Sequence, residues 1–307
     1  MDARSTMTRN GDFSPALFRP QAVSAETRAV NAGLVAGKAL PAQACPARVD
    51  IYEIRGKRGT VVTLRVIPTP NARGVYLHIP GGDWVMGGPA RRDGMLARIA
   101  AHTGMACISV DYRRQAYPAA PDDCEAAALW LIGRARELFG TMHLTIGGES
   151  TGAHLAAVTL LRLRDAGHGR AFAAANLAFG LYDLGLTPSA RAASGGLTDR
   201  RRIEQLADAF VPAAFDRRHP DISPLHADLR GLPPALFSVG TLDALVDDTL
   251  FMHARWIAAG NEAELAIHPG GVHGFTALPG QLAAQAAART DCFLARAIGV
   301  AGHRDAA

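Results

Sequence analysis

The stretch that decides the fold is His143-Leu-Thr-Ile-Gly-Gly-Glu-Ser150-Thr-Gly152, an apolar run that leads into a glycine-flanked serine. The helix-like run Ala153 to Leu161 comes directly after it. A Gly-x-Ser-x-Gly turn between a buried strand and a helix is one way in which a protein exposes a nucleophilic serine. Such a turn is tight, so a side chain in place of either glycine would collide with the strand or the helix. We therefore predict that Ser150 projects its hydroxyl into a site, beside the amide of Thr151 and the positive end of the helix dipole.

Two further residues follow Ser150 in the chain order of a catalytic triad. The pentapeptide alone is weak evidence in a chain with 32 glycines, so the rest of the sequence must decide. Pro234 to Val239 reads as a buried strand, and Asp243 follows at its carboxyl end. The next strand-like run, Ala263 to Ile267, leads into a glycine-rich loop that carries His273. This order predicts a nucleophile, an orienting carboxylate and a general base.

Asp247 and Asp248 are the alternatives to Asp243 as the acid. Both fall inside the helix-like run Ala244 to Phe251, where carboxylates suit the first helical turn or solvent. Asp243 instead lies at the strand end, so we assign the role to it. A loop histidine is usually a solvated surface group, but the order and spacing after the serine and the acid favour a catalytic His273.

A series of short motifs carries a family resemblance. The motifs are Trp84-Val-Met-Gly87, Val110-Asp-Tyr-Arg113, Gly148 to Ala157, Tyr182-Asp-Leu with Thr187-Pro-Ser189, Ser223-Pro-Leu225, Leu232-Pro-Pro234, Gly240 to Asp243, and Gly270 to Phe275. Through them the chain resembles the hormone-sensitive-lipase-like branch of the α/β-hydrolases, which includes many microbial carboxylesterases. The resemblance spans roughly residues 75 to 276 and is thin over the first fifty residues. It implies an α/β-hydrolase fold with Ser150, Asp243 and His273 as the catalytic triad.

The sequence departs from that branch at the loop expected to bind the oxyanion. Members usually carry His-Gly-Gly-Gly followed by an aromatic residue, and the glycine amides donate to the oxyanion formed during acyl transfer. Here the stretch is Pro80-Gly81-Gly82-Asp83-Trp84. An amide donor survives a change of side chain, so we assign the oxyanion hole to the amides of Gly81, Gly82, Asp83 and Thr151. A carboxylate near an oxyanion opposes it. Asp83 must therefore point toward a cation, water or a substrate group, or else the hole is weakened.

Three residues near this loop and the nucleophile are assigned to the substrate pocket: Asp83, Trp84 and Glu149. We expect Asp83 to restrict the protein to an atypical ester or amide. The alternative is a loop carboxylate satisfied by neighbouring amides, for which aspartate has a high propensity. Glu149 adjoins the nucleophile and is also expected to make structural contacts.

The composition is that of an ordinary soluble enzyme. A chain of 307 residues with 49% hydrophobic residues can form one large α/β domain with a modest cap. No apolar run is long enough to span a membrane, and the polar start Met1 to Asp12 lacks the apolar core of a secretory signal, so we expect a cytoplasmic protein. The four cysteines have no close pairing or metal-type spacing. Cys107 lies in a strand-like run and is expected to be buried and inert.

The net charge of +4 and the pI of about 9.1 could suggest a polyanionic partner. The arginines are scattered, however, and the densest group, Arg200-Arg-Arg202, is short and without interleaved aromatic residues. We therefore expect no nucleic-acid partner. Neither a metal cluster nor a nucleotide-binding motif is present, and His268 and His273 are wrongly spaced for a helical metal pair, so we expect no cofactor and no metal.

Strand-like and helix-like segments alternate along most of the chain, which predicts a mostly parallel sheet covered by helices on both faces, with the site at the carboxyl ends of the strands. The predicted helix over Asp123 to Leu138 places Ala126, Leu129, Trp130 and Gly133 on its packed face. The alternation stops between Tyr182 and Pro224, so this part is too long to be a simple connection. We divide the chain into an N-terminal segment that contributes to a cap (1–50), the first part of the catalytic core (51–182), a helical cap insertion (183–222) and the second part of the core (223–307).

Together these observations predict a serine hydrolase that cleaves small carboxylic esters with short acyl groups. An amide or formamide hydrolase stays open, because arylformamidases resemble the chain at Gly81 to Trp84 and in the Ser-x-Gly-x-His-Leu run that starts at Ser150. A ligand-binding protein without activity also stays open, since plant hormone receptors resembling this family kept the pocket and lost the histidine. The expected partner is a small ester, and a homodimer is possible.

Overall fold

The computed structural model describes residues 18–19, 23–35, 48–84, 88–194 and 198–299, and they form a sandwich of helices around an eight-stranded sheet. The strands lie in the order β1-β2-β4-β3-β5-β6-β7-β8. Their bounds are β1 Asp50–Arg55, β2 Val61–Ile67, β3 Val75–Ile79, β4 Ala106–Asp111, β5 Leu144–Glu149, β6 Phe172–Ala178, β7 Ala235–Gly240 and β8 Ala263–His268.

The pairing of these strands is mostly parallel, as the sequence predicts. Strand β2 runs antiparallel to both β1 and β4, and the six strands from β4 across to β8 are parallel to one another. The carboxyl ends of those six strands therefore meet at one edge, where an α/β sheet places its ligands. The α/β-hydrolase fold predicted from the sequence is confirmed. Strand β1 is not among the segments predicted from the sequence, and its apolar residues Ile51, Tyr52 and Ile54 do not alternate strictly with polar ones.

Helices cover both faces of the sheet. Their bounds are α1 Ala25–Val35, α2 Asp93–Thr103, α3 Ala119–Phe139, α4 Thr151–Leu163, α5 Pro188–Ala192, α6 Arg200–Phe210, α7 Val246–Ala258 and α8 Gln281–Ala297. Helices α2 and α8 pack in one apolar cluster with Tyr76, and α3, α4 and α7 pack in another with Leu77. Successive residues of a strand point to opposite faces. Tyr76 and Leu77 are adjacent in β3, so they mark the two sides of the sheet.

The predicted packing face of α3 is wrong. Leu129 is an exposed apolar residue, Gly133 is exposed, and Trp130 is only partly buried. The buried face consists instead of small and aliphatic residues: Ala120, Cys124, Ala127, Ala128, Leu131 and Ala135. The helix contains apolar residues on more than one side, so its periodicity does not identify a single face.

Helices α5 and α6 lie in the segment predicted to be a cap insertion. Helix α6 begins after Asp199, whose side chain accepts a hydrogen bond of 2.8 Å from the Arg202 amide, as an N-cap residue does. Its apolar stripe, Ile203, Leu206, Ala207 and Phe210, is buried. Helix α1, from the predicted N-terminal cap segment, contacts the loop after β8 through a 2.8 Å bond from Asn31 to the Gly270 carbonyl. The rest of that segment lies mostly outside the described residues.

The cysteines of the described part agree with a structural role. Cys107 and Cys124 are buried and Cys292 is exposed, all three with free thiols, whereas Cys45 lies outside the described residues. Burial raises the pKa of the Cys107 thiol, so the reactive thiolate is disfavoured there. No helix within the described ranges combines the length and the apolar character needed to cross a membrane.

Arg162 ties helix α4 to the end of the cap segment. Its guanidinium contacts Asp221 at 2.6 and 2.5 Å, Asp122 at 2.8 Å and Glu125 at 2.9 Å. Only 16% of its side chain is exposed. We expect Arg162→Ala to lower the free energy of unfolding by about 3 kcal/mol, because Asp221 loses its cation in a partly buried place and Asp122 and Glu125 keep only Lys57.

Urea unfolding followed by circular dichroism measures this change. Arg134→Ala is the matched control, because Arg134 pairs with Glu137 at 2.9 Å on an exposed helix surface, where such pairs contribute about 0.5 kcal/mol or less. Equal losses in the two variants would contradict the assigned role of Arg162.

Candidate active site

Ser150 occupies a strained turn between strand β5 and helix α4. Its backbone angles are φ 55° and ψ −124°, a conformation that non-glycine residues rarely adopt. The flanking glycines are required sterically, as predicted: a Cβ atom would lie 2.2 Å from the Ile79 carbonyl oxygen at Gly148 and 2.1 Å from the same oxygen at Gly152. The turn is thus pressed against the end of β3, and this contact aims Ser150 out of the sheet.

The structure brings the three predicted triad residues together. The Ser150 hydroxyl lies 2.9 Å from Nε2 of His273, and Nδ1 of His273 lies 3.0 Å from both carboxylate oxygens of Asp243. Asp243 is buried and also accepts a 2.8 Å bond from the Leu245 amide, which fixes its orientation. The ring of Phe179 packs edge-on against the imidazole at 5.2 Å. Three loops that follow β5, β7 and β8 therefore converge on one hydrogen-bonded chain.

The surroundings of His273 make its imidazole more basic than usual. Burial alone would lower its pKa, but the charge and hydrogen bond of Asp243, with a smaller contribution from the charge of Asp83, outweigh burial and raise the pKa. A serine hydroxyl bonded to such an imidazole can lose its proton as it attacks an electrophilic carbon. The arrangement is therefore suited to nucleophilic catalysis.

Asp247 and Asp248 serve the start of the cap segment rather than the triad. Asp248 is buried and accepts bonds from the amides of Tyr182 and Asp183 and from the Thr187 hydroxyl, at 2.7, 2.9 and 2.6 Å. Asp247 accepts a 2.7 Å bond from the Ser189 amide. Both residues lie in the first turn of α7, as the sequence predicts, and their carboxylates bind residues 182–189.

The predicted oxyanion loop lies directly against the nucleophile turn. A Cβ atom at Gly81 would lie 2.4 Å from the Glu149 carbonyl oxygen, so only glycine fits there. The Gly82 amide donates a 3.1 Å bond to the Thr151 hydroxyl, and the Thr151 amide belongs to the first turn of α4. Asp83 has a φ of 57°, in the left-handed region that glycine favours and that aspartate tolerates better than most residues. The loop thus keeps a glycine-like backbone although it carries an acid.

The carboxylate of Asp83 points to a cation. Its Oδ2 atom lies 3.0 Å from the Arg202 guanidinium in the first turn of α6. The two side chains are 30% and 40% exposed, so the pair lies at the edge of the site, in contact with solvent. A cation, water or a substrate group were the predicted partners of Asp83, and the structure shows the cation.

Trp84 does not line a substrate pocket, contrary to the prediction. It is fully buried and stacks on Phe210 of α6 with ring centroids 4.4 Å apart and an angle of 7°. Its indole N–H donates to Nδ1 of His154 at 3.2 Å, and Nε2 of His154 donates to the Ile222 carbonyl at 2.7 Å. Burial lowers the pKa of His154 to about 4, so this histidine stays neutral between its two partners. Trp84 therefore packs the oxyanion loop against helix α6.

Glu149 is likewise unavailable to a substrate. It is buried, with Nε2 of His78 at 3.1 and 3.2 Å from its two oxygens and Nε of Arg92 at 3.6 Å. Burial would raise its pKa, but the charges of His78 and Arg92 outweigh it and lower the pKa to about 2. The structural contacts expected for Glu149 are present, and the pocket assignment is wrong because the carboxylate is buried against His78 and Arg92.

Sequence reasoning missed Arg202 and His154 as neighbours of the site. Arg202 belongs to a short arginine run that resembles an ordinary charged surface, and its partner Asp83 is 119 residues away along the chain. The available signal in the sequence was Asp83, at a position where the resembling family has glycine, because a carboxylate there needs a partner for its charge. Within the described ranges, no group of three or more His, Cys, Asp or Glu side chains is placed to hold a metal ion.

Comparison with known proteins identifies the family and the activity class. A family profile described as the alpha/beta hydrolase fold matches residues 75–277. An acetyl-hydrolase of Streptomyces hygroscopicus is 33% identical over 191 residues, which are 61% of this chain and 62% of that protein. The carboxylesterase NlhH of Mycobacterium tuberculosis is 33% identical over 241 residues, 73% of each chain. An acetyl esterase of Salmonella typhi is 29% identical over 227 residues, 71% of this chain and 70% of that protein.

Solved structures show the same architecture. An esterase of the archaeon Pyrobaculum calidifontis superposes with a TM-score of 0.77 at 25% identity, over 94% of this chain and all of that one. An esterase/lipase from an uncultured bacterium superposes with a TM-score of 0.76 at 26% identity, over 90% of this chain and 99% of that one.

Proposed function

The chain belongs to the α/β-hydrolase fold family and is an ester hydrolase, and from this premise we propose that it cleaves short-acyl carboxylic esters through an acyl-enzyme on Ser150. The resemblance to the hormone-sensitive-lipase-like branch is confirmed by the family match and by the esterase relatives. The observation that carries the proposal is the 2.9 Å contact between the Ser150 hydroxyl and His273. A binding protein without activity has no need of a base at this position.

In the first half of the reaction the enzyme is acylated. The Ser150 oxygen attacks the acyl carbon while Nε2 of His273 takes the hydroxyl proton, and Asp243 stabilises the imidazolium. The carbonyl oxygen becomes an oxyanion that backbone amides of the Gly81–Asp83 loop and of Thr151 can stabilise. The Gly82 amide becomes available for this when it releases the Thr151 hydroxyl. The intermediate then collapses, the ester C–O bond breaks, and the imidazolium gives its proton to the leaving alkoxide oxygen.

In the second half water replaces the alcohol. His273 takes a proton from the water as its oxygen attacks the acyl carbon of the Ser150 ester. The second oxyanion uses the same amides, and its collapse breaks the bond to the Ser150 oxygen. The imidazolium returns the proton to that oxygen, and a carboxylic acid leaves. Atoms and charges balance with ester and water alone.

The preference for short acyl groups is supported by the relatives. Two of the matching proteins are named for acetyl groups, as an acetyl-hydrolase and an acetyl esterase. A structural neighbour at 26% identity was soaked with p-nitrophenyl butyrate. Helix α6 also contacts the oxyanion loop, through Phe210 on Trp84 and Arg202 on Asp83.

The proposal is tested with p-nitrophenyl esters of two to twelve acyl carbons and with N-formylkynurenine. We expect turnover to be highest for the two- to four-carbon esters and to fall for longer chains. If N-formylkynurenine alone were turned over, the substrate would be a formamide and not an ester. No turnover of any of these substrates, together with no labelling of Ser150 by a fluorophosphonate, would contradict the proposal that the protein is an enzyme.

The pH dependence of kcat/KM should show the raised pKa of His273. The imidazole must be neutral to take the serine proton, so activity falls as the pH drops through its pKa. Because the pKa lies above its usual 6.5, we expect the midpoint of the acid limb above pH 6.5. The profile is measured from pH 5 to 9 with p-nitrophenyl acetate, with circular dichroism as the control for unfolding. A midpoint below pH 6.5 in folded protein would contradict the role of Asp243 in raising this pKa.

A further inference from the structure

The acid in the oxyanion loop creates an electrostatic problem for the proposed reaction. Asp83 lies where the resembling family has a glycine, and its charge is close enough to His273 to affect the imidazole. A negative charge near the developing oxyanion raises the energy of the transition state unless a cation neutralises it. The inference below rests on the proposed function, because it concerns the oxyanion of that reaction.

Arg202 is the cation in contact with that acid. Its guanidinium lies 3.0 Å from Asp83, and its position in the first turn of α6 follows from the cap at Asp199. The neighbouring Arg200 instead pairs with Glu204 at 2.9 Å on the surface of the same helix. Within the arginine run, Arg200 therefore makes an ordinary surface pair, whereas Arg202 contacts the oxyanion loop.

A second contact fastens the same loop to the other end of α6. Trp84, the residue after Asp83, stacks on Phe210 at 4.4 Å. Arg202 and Phe210 are eight residues apart on one helix, a distance of about 12 Å at 1.5 Å per residue. The helix therefore holds the loop at two points, by a charge at its start and by an aromatic stack at its end.

We propose that Arg202 is a positioning residue for the oxyanion hole, which neutralises Asp83 and fixes the loop that carries the Gly82 and Asp83 amides under helix α6. In the resembling family a glycine occupies the position of Asp83. Here the Asp83–Arg202 pair takes its place and links the loop to helix α6. Cap and oxyanion loop thus act as one unit. Arg202 itself touches neither the reacting carbon nor the oxygen; it acts through Asp83.

The test is a double-mutant cycle on the hydrolysis of p-nitrophenyl acetate. Arg202→Gln leaves Asp83 unneutralised, and we expect kcat to fall by roughly tenfold to a hundredfold. Asp83→Asn removes the charge and keeps a side chain that tolerates the left-handed backbone. In the double variant Asp83→Asn/Arg202→Gln we expect kcat to return to within about threefold of the wild type, because coupled sites are not additive.

The pH profile separates this role from a merely structural one. The charged groups that act on His273 are Asp243, through its charge and its hydrogen bond, and Asp83, through its charge. Asp83→Asn removes a nearby negative charge, so the acid limb of kcat/KM should move to lower pH. Arg202→Gln removes a positive charge, so the limb should move to higher pH, and Arg202→Lys should keep it in place. Arg200→Gln is the matched control and should change neither kcat nor the limb.

Three outcomes would overturn the proposal. They are an unchanged kcat in folded Arg202→Gln, additive losses in the double variant, and acid limbs that do not move. If Arg202→Gln fails to fold, Arg202→Lys and Asp83→Asn still measure the charge effect, and an unmoved limb in Asp83→Asn is then decisive. Wild-type turnover and fluorophosphonate labelling of Ser150 are measured alongside, so a failure of the proposed esterase reaction is seen separately.

Discussion

Ser150→Ala is expected to lower kcat for p-nitrophenyl acetate by about 10⁴-fold or more, because the nucleophile that forms the acyl-enzyme is lost. His273 would then face a methyl group at the position where it now contacts a hydroxyl at 2.9 Å. The remaining rate enhancement comes from the oxyanion donors and from binding alone. Initial rates at saturating ester, normalised to protein concentration, measure the change.

The control for this variant is its stability. Alanine keeps the Cβ atom of Ser150 and loses only the hydroxyl with its bond to His273, so we expect the free energy of unfolding to change by no more than about 1 kcal/mol. Fluorophosphonate labelling should occur in the wild type and be absent in Ser150→Ala. Residual turnover within tenfold of the wild type, in protein free of contaminating esterase, would show that another group is the nucleophile.

Gly152→Ala is expected to lower the free energy of unfolding by about 3 kcal/mol and to abolish turnover, because overpacking against backbone cannot relax by rotamer changes. A Cβ atom at this position would lie 2.1 Å from the Ile79 carbonyl oxygen, and 2.8 Å from both the Gly81 nitrogen and the Pro80 carbonyl carbon. Relief requires β3 and the oxyanion loop to move away from the nucleophile turn. The loss of stability and the loss of catalysis therefore have one cause.

The matched control is Gly133→Ala in helix α3. A Cβ atom there meets nothing within 4 Å, and alanine is the better helix former, so we expect a gain of up to about 1 kcal/mol. Urea unfolding at constant pH measures both variants. If Gly152→Ala proved as stable and active as the wild type, the close packing between β3 and the nucleophile turn would be refuted.

The local parts of this site could be predicted from sequence because each depends on residues close together in the chain. The nucleophile turn needs a strand, glycines and a helix within one short stretch, and the loops after β7 and β8 each follow a recognisable strand. The sheet follows from the alternation of strands and helices in the same way. Strand β1 was missed because it is half exposed and its polar residues obscure the strand pattern.

The parts that could not be predicted depend on contacts between distant segments. Whether Trp84 faces a substrate or a helix depends on where Phe210 lies, and the partner of Asp83 is set by the docking of α6. The buried face of α3 could not be predicted either, because small residues such as Ala127 and Gly133 do not reveal which side of the helix is buried. Glu149 was misplaced for a related reason: its partner His78 comes from a neighbouring strand rather than from the turn.

The stack of Trp84 on Phe210 also gives the protein an internal optical probe. The indole is fully buried, and it follows the loop that carries Asp83. Withdrawal of α6 would expose this indole to water and shift its fluorescence emission to longer wavelength. The sequence has three tryptophans, so a variant with phenylalanine at Trp130 and Trp256 would isolate the signal. Any movement of α6 relative to the oxyanion loop could then be timed by stopped-flow fluorescence without an added dye.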